Sequence, residues 1–286
     1  VRVCSLLPAA TEIIGALGLT GTLVARSEEC DWPPGVRELP VATAARIDTA
    51  RLSSFEIDRA VRGTVEGGRS LYALDAGLVE ELAPDLVVTQ DTCTVCAVSS
   101  GEVAELCPLG VEVLSLDART LAEIEGSVLE LARRLESPER GEAVVGAMRG
   151  QIAGVVERVA GLERRRVFLA EWLDPPFAAG HWVPEMVELA GGRDELGRPG
   201  QPSYATTWEA VAAADPELVV VAPCGFDARR GAAEAAGMEF PARAVAVDAN
   251  AYYSRPSPRV ADGVAQLGFL LHPEAVEDPG LPWIDL

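Results

Sequence analysis

One segment of this chain occurs twice, and the repeat limits the folds open to it. Ala-Pro-Asp-Leu-Val-Val at residues 83–88 returns 132 residues later as Asp-Pro-Glu-Leu-Val-Val at residues 215–220. Pro84, Leu86, Val87 and Val88 fall on Pro216, Leu218, Val219 and Val220, and Val79 falls on Val211. A short β-branched run with no polar alternation is the pattern of a strand buried on both faces of a parallel sheet. Polar or thiol residues follow each run: Gln90, Asp91, Cys93 and Cys96 after the first, Cys224 after the second. Open α/β sheets bind ligands beyond the carboxyl ends of their strands. The repeat therefore predicts two similar lobes, each presenting a loop to a shared cleft.

The remaining pattern fills in those lobes. Residues 2–7 read as a first strand, broken by Pro8, with a helix to Leu17 that Gly18 closes and Thr11 is placed to cap. Residues 35–75 are poorly periodic, apart from a helical stretch over 54–65 and a turn at Gly67-Gly68. Residues 120–165 carry no strand signal. Leu121, Ile124, Val128, Leu131 and Leu135 recur at helical spacing. After Ser137-Pro138, a cap followed by proline at the first helical position, the pattern predicts one helix to about Arg164. At 1.5 Å per residue that is roughly 40 Å. A strand over 166–170, an aromatic-rich loop over 171–182, a helix capped by Thr207, a strand over 244–247 and a final helix over 257–271 complete the chain. The fold class is α/β: two Rossmann-like lobes with parallel sheets, residues 1–117 and 166–286, joined by a helical linker over 118–165.

Composition excludes several function classes. A net charge of −20 opposes a phosphate backbone or an anionic lipid surface, so neither nucleic acid nor a membrane is an expected partner. All 24 basic residues are arginine, which rules out lysine Schiff-base and Walker-type chemistry. No stretch reaches the ~18 apolar residues of a membrane span. The start, VRVCSLLPAATEI, has no basic region followed by a long apolar run. The chain as given is expected to be cytoplasmic, or periplasmic or extracellular if a leader was removed ahead of Val1. Six cysteines in a chain of 286 residues are not a disulfide scaffold.

RVCSLLPAATEIIGALGL, ECDWPP, LAPDLVV, DPPFAAGHWVPEMVELAGG, TWEAVAAADPELVVV and SRPSPRV resemble, in order and spacing, the cobalamin-binding proteins that serve ABC importers. These belong to the helical-backbone (class III) group of periplasmic-type receptors for metal chelates, which includes haem and siderophore binders. The resemblance spans residues 2–272 and implies capture of cobalamin or a related corrinoid between two lobes on one rigid helix, without catalysis. It implies that Trp32 and Phe177 pack on the corrin, that Arg255 contacts its rim and that Glu209 docks on an ABC permease. The chain departs from the pattern at three places. Gly77 stands at the first-lobe docking position, with Asp75 and Glu80–Glu81 nearby. Gln90 replaces a tryptophan. The Cys93–Cys96 pair and the insertion over 43–77 are additions.

Among the candidate site residues, Trp32, Phe177, Trp182, Tyr252 and Tyr253 fall in predicted loops and suit a flat macrocycle, which needs broad apolar faces. His181 reads either as an axial ligand to cobalt or iron or as a hydrogen-bonded loop histidine. Cys93 and Cys96 read as structural thiols, as metal contacts or as a redox pair. Cys30 follows a strand of the same lobe, so Cys30, Cys93 and Cys96 form a candidate soft-metal site. A thiol-based metal or redox protein on the same scaffold is thus the alternative to a chelate receptor. A cytoplasmic protein that hands cobalamin to a partner, without a permease, is a third reading consistent with Gly77.

Overall fold

A computed structural model describes residues 1–66, 70–91, 98, 100–101, 103 and 111–286. Cys93, Cys96, Cys107 and the Gly67-Gly68 turn lie outside the described residues. The chain divides into two compact units. The first comprises residues 1–52, 56–118 and 123–145; the second comprises residues 53–55, 119–122 and 146–286.

The first unit holds a parallel four-stranded sheet. Strand β1 (Val3–Ser5) lies between β2 (Leu23–Arg26) and the repeat strand β5 (Leu86–Thr89), and β6 (Glu112–Ser115) flanks β5. Leu86, Val87 and Val88 are all buried, as an unbroken apolar run requires. The insertion forms a separate antiparallel pair, β3 (Thr43–Ala45) with β4 (Tyr72–Leu74), and the helix Ser54–Glu66 between them.

The first helix runs over Pro8–Ala16 and Gly18, at φ +69°, ends it. Thr11 is not its cap. Pro8 at the first position draws the start back to Leu7, so Thr11 sits a turn inside and its hydroxyl bonds Ser5 Oγ at 2.8 Å. The helices Leu121–Arg134 and Pro138–Val159 follow as the periodicity predicts. A Cβ on Gly141 would sit 2.6 Å from Ala132 Cβ, so glycine lets the two helices approach there. The second helix is shorter than predicted because Gly161, at φ +80°, turns the chain. Its 22 residues extend about 33 Å.

The second unit is built on the parallel strands β7 (Arg165–Leu173), β11 (Leu218–Val221) and β12 (Arg243–Val247), in the order β7-β11-β12. Its edges are antiparallel: β8 (Pro176–Ala178) and β10 (Tyr204–Ala205) on one side, β13 (Trp283–Asp285) on the other. The short β9 (Gly192–Arg193) pairs β7 in parallel. Part of the predicted 171–182 loop is therefore strand. β7 runs on to Leu173, turns at Asp174-Pro175 and pairs back through Phe177, which lies opposite Trp172.

The repeat is structural in detail. Val3 pairs Leu86 in the first unit, and Val167 pairs Leu218 in the second. Asp85 accepts the Arg2 amide at 2.7 Å, and Glu217 accepts the Arg166 amide at 3.1 Å. The helix ahead of each strand is side-chain capped: Asp75 accepts from Leu78 N at 2.9 Å, and Thr207 accepts from Ala210 N at 3.2 Å. Each then enters its strand through a left-handed residue, Ala83 at φ +42° and Asp215 at φ +49°.

Candidate functional site

The carboxyl ends of β7, β11 and β12 are the places where this unit can present ligand chemistry. Near its carboxyl end β7 carries Glu171 and Trp172. Glu171 Oε1 accepts the Gly180 amide at 2.9 Å and so fixes the start of the turn that carries His181 and Trp182. A strap over residues 198–203 packs on that turn. Arg198 N donates to Ala179 O at 2.9 Å, His181 N to Gln201 O at 2.6 Å, and Gly200 N to His181 O at 2.9 Å. Only glycine fits at 180: a Cβ there would stand 2.2 Å from Ser203 N.

His181 itself is in the left-handed region, at φ +49°. Its half-buried ring leans on Trp182, with centroids 5.7 Å apart at 34°. Burial, and then the charge of Arg119, hold the imidazole below its ordinary pKa, so it is neutral at pH 7. Trp182 is buried and donates through Nε1 to Tyr253 O at 2.9 Å. Phe177 is half-buried on β8. Its cross-strand neighbour Trp172 packs edge-on against Phe226 at 5.5 Å and donates to Ser54 O at 3.1 Å.

The segment leading into the strap is held by a buried acid. Asp194 accepts from Gly197 N at 2.9 Å, Leu196 N at 3.0 Å and Leu169 N at 3.3 Å. Burial outweighs these bonds and pushes its pKa up to about 6. Beyond β12, Asp248 caps the helix Ala249–Tyr252 through Ala251 N at 2.9 Å. Burial raises its pKa, and Arg259 and Arg255 offset part of the rise.

Several predicted contacts take other places. Tyr253 is 1 % exposed and bonds Gln266 Oε1 at 2.9 Å; burial raises its phenol pKa. It is a core residue, because the helix Ala249–Tyr252 turns it inward under the helix Val260–Leu271. Arg255 is likewise buried. Tyr252 is half-buried beneath the Arg259 guanidinium at 4.7 Å.

In the first unit Trp32 is half-buried, and with Pro33 it packs on the helix Pro8–Ala16 where Gly15 leaves room. Gln90 is buried just past β5. Cys30 is not a displayed loop thiol. It is 1 % exposed, accepts from Thr11 Oγ1 at 2.9 Å and lies with Ser5 beneath the end of β1. The turn Ser27–Cys30, closed by Cys30 N to Ser27 O at 3.1 Å, directs it inward. Among the described residues no three His, Cys, Asp or Glu side chains are placed to share a metal ion.

Glu209 is exposed in the first turn of the helix Trp208–Ala213, where backbone and Thr207 hydrogen bonds lower its pKa. Gly77 stands at the matching position of the helix Ala76–Leu82, and Asp75 is used as that helix's cap. Glu171 and Trp172 were absent from the sequence-based set. The alternation Phe168, Ala170, Trp172 carries the strand two residues past its expected end and would have found them.

Comparison with known proteins agrees with this fold. The vitamin B12-binding protein of Vibrio cholerae serotype O1 is 26% identical over 273 residues, covering 93% of this chain and 87% of that protein. The crystal structure of periplasmic vitamin B12 binding protein BtuF of Vibrio cholerae superposes with a TM-score of 0.64 at 25% identity, covering 94% of this chain and 96% of that one. A periplasmic heme binding protein from Pseudomonas aeruginosa superposes with a TM-score of 0.73 at 22% identity, covering 99% and 97%. Residues 3–240 match the periplasmic binding protein family, and the chain belongs to that family.

Proposed function

We propose that this protein is the solute-binding component of an ABC-type importer and that it captures a metal tetrapyrrole of the vitamin B12 or haem class. The carrying observation is the end of the second unit's sheet, where Phe177 lies opposite Trp172 and the turn that bears His181 and Trp182 is held by the 198–203 strap and the Glu171 carboxylate. Half-buried aromatic faces beside a neutral imidazole suit a flat, largely apolar macrocycle with one polar contact. Relatives named for vitamin B12 and for haem support the ligand class, and their description as binding proteins supports a role without catalysis. Glu209, exposed at a helix start, is the proposed acidic contact for a permease. A location outside the cytoplasmic membrane goes with this role.

The test is an absorbance titration of the purified protein with aquocobalamin and with ferric haem. Saturable binding of one of them at one equivalent is expected. Binding of neither removes the reading.

A further inference from the structure

The insertion over residues 43–77 enters the second unit at one point. Residues 53–55 belong to that unit, while residues 43–52 and 56–66 belong to the first. Ser54 is 1 % exposed and gives all three of its polar groups to the second unit. Its amide and its hydroxyl both donate to Glu234 Oε1, at 2.6 and 2.7 Å, and its carbonyl accepts from Trp172 Nε1 at 3.1 Å. Ser54 is the first residue of the helix Ser54–Glu66, so the Glu234 carboxylate sits where a helix start favours negative charge. Glu234 ends the helix Ala228–Glu234. One turn earlier that helix carries Arg230, whose guanidinium lies 3.9 Å over the Phe226 ring, and Phe226 meets Trp172 edge-on. The same short helix thus backs the Trp172 ring and holds the segment bonded to it.

The contact is polar and separable. Phe55, next to Ser54, is 51 % exposed and adds little apolar burial. Segments held by few buried apolar contacts are the ones that open locally. Trp172 belongs to the aromatic end assigned above to the ligand, and its indole N–H, the ring's one polar group, is spent on Ser54. We propose that residues 53–55 are an autoinhibitory clasp: Glu234 holds them at Trp172 in the ligand-free protein, and ligand reaches the second unit's aromatic end when they release. This rests on the receptor reading above. A ligand then meets only the open fraction of the protein, so loosening the clasp raises its apparent rate of association.

The test pairs Glu234→Ala, which removes the acceptor, with Glu234→Gln, which keeps one acceptor oxygen for Ser54. Opening is read as hydrogen exchange of the Ser54 amide, followed by NMR. Access is read as the stopped-flow association rate of aquocobalamin or ferric haem, whichever the wild type binds. In Glu234→Ala the exchange should be at least tenfold faster and the association at least threefold faster. Glu234→Gln should stay within about twofold of wild type in both. Faster exchange with an unchanged association rate, or unchanged exchange in Glu234→Ala, would overturn the clasp and leave the receptor reading intact. Binding of neither ligand by the wild type would remove both.

Discussion

In the first unit β5 runs out into Gln90 and Asp91, and the groups beneath it are hydroxyls and a thiol: Ser5, Thr11, Cys30 and Thr89, all buried. They are bonded to one another and to nearby carbonyls. Asp91 is held by Ser100 and Ser115, whose hydrogen bonds outweigh a burial cost and lower its pKa. In the second unit β7 and the turns after it carry Glu171, Trp172, Phe177 and His181, with rings half-buried and one imidazole uncommitted among the described residues. The two ends sit on one frame, with the same strand register, helix caps and left-handed entry. Hence the frame is set at the amino ends of the repeat, where capping and register decide folding. The carboxyl ends are free to diverge: the first is lined by bonded hydroxyls and a thiol, the second carries half-buried rings.

The sharpest way to break this comparison is at two glycines. Gly180→Ala drives a Cβ to 2.2 Å from backbone that cannot give, so chemical denaturation should show a loss of about 3 kcal/mol with collapse of ligand binding. Gly77→Ala meets only Asp75 Oδ1 at 3.5 Å in a helix and should add about 0.5 kcal/mol. Loss of similar size at both positions would contradict the claim that the strap makes the second end special.

Next comes pH. Asp194 has a folded-state pKa of about 6, raised above its unfolded value, so the folded state holds the proton more tightly. Its contribution is fully present below about pH 4 and is lost as pH rises through about 6. From pH 4 to pH 7 this group should cost about 2 kcal/mol, seen as a falling melting temperature. Asp194→Asn should remove most of that slope. Its Oδ1 position can still accept from Leu196 and Gly197, whereas an amide nitrogen would face the Leu169 N–H. An unchanged slope would mean that the carboxylate is not buried as described.

The shared frame itself predicts equality. Asp75→Ala and Thr207→Ala should each cost about 1 kcal/mol in denaturant unfolding. A difference beyond about 1 kcal/mol between them would show that the two caps are not equivalent.

Much of this was legible in the sequence. The duplicated Leu-Val-Val run, Thr207 as a cap and Pro138 as a helix start are local signals, and each keeps its role. What failed were statements about which way a side chain faces. Tyr253 and Arg255 looked like loop residues because turn-forming residues surround them, yet both are buried just past a four-residue helix. Cys30 reads as a loop thiol available to a metal, yet a hydroxyl cluster from elements far apart in sequence draws it in. Trp172 was hidden because Asp174-Pro175 reads as the start of a loop when it is the turn of a hairpin. Tertiary partners decide these orientations, and no short window contains them.

The most direct measurement is calorimetric affinity for whichever tetrapyrrole the wild type binds, made on Phe177→Ala and Cys30→Ser side by side. Removing the Phe177 ring takes away an apolar face worth about 2 kcal/mol, so affinity should fall at least tenfold, while Cys30→Ser, beneath the thiol end of the first unit, should leave it within about twofold. Unchanged affinity in Phe177→Ala, or a tenfold loss in Cys30→Ser, would contradict the assignment of ligand binding to the aromatic end of the second unit.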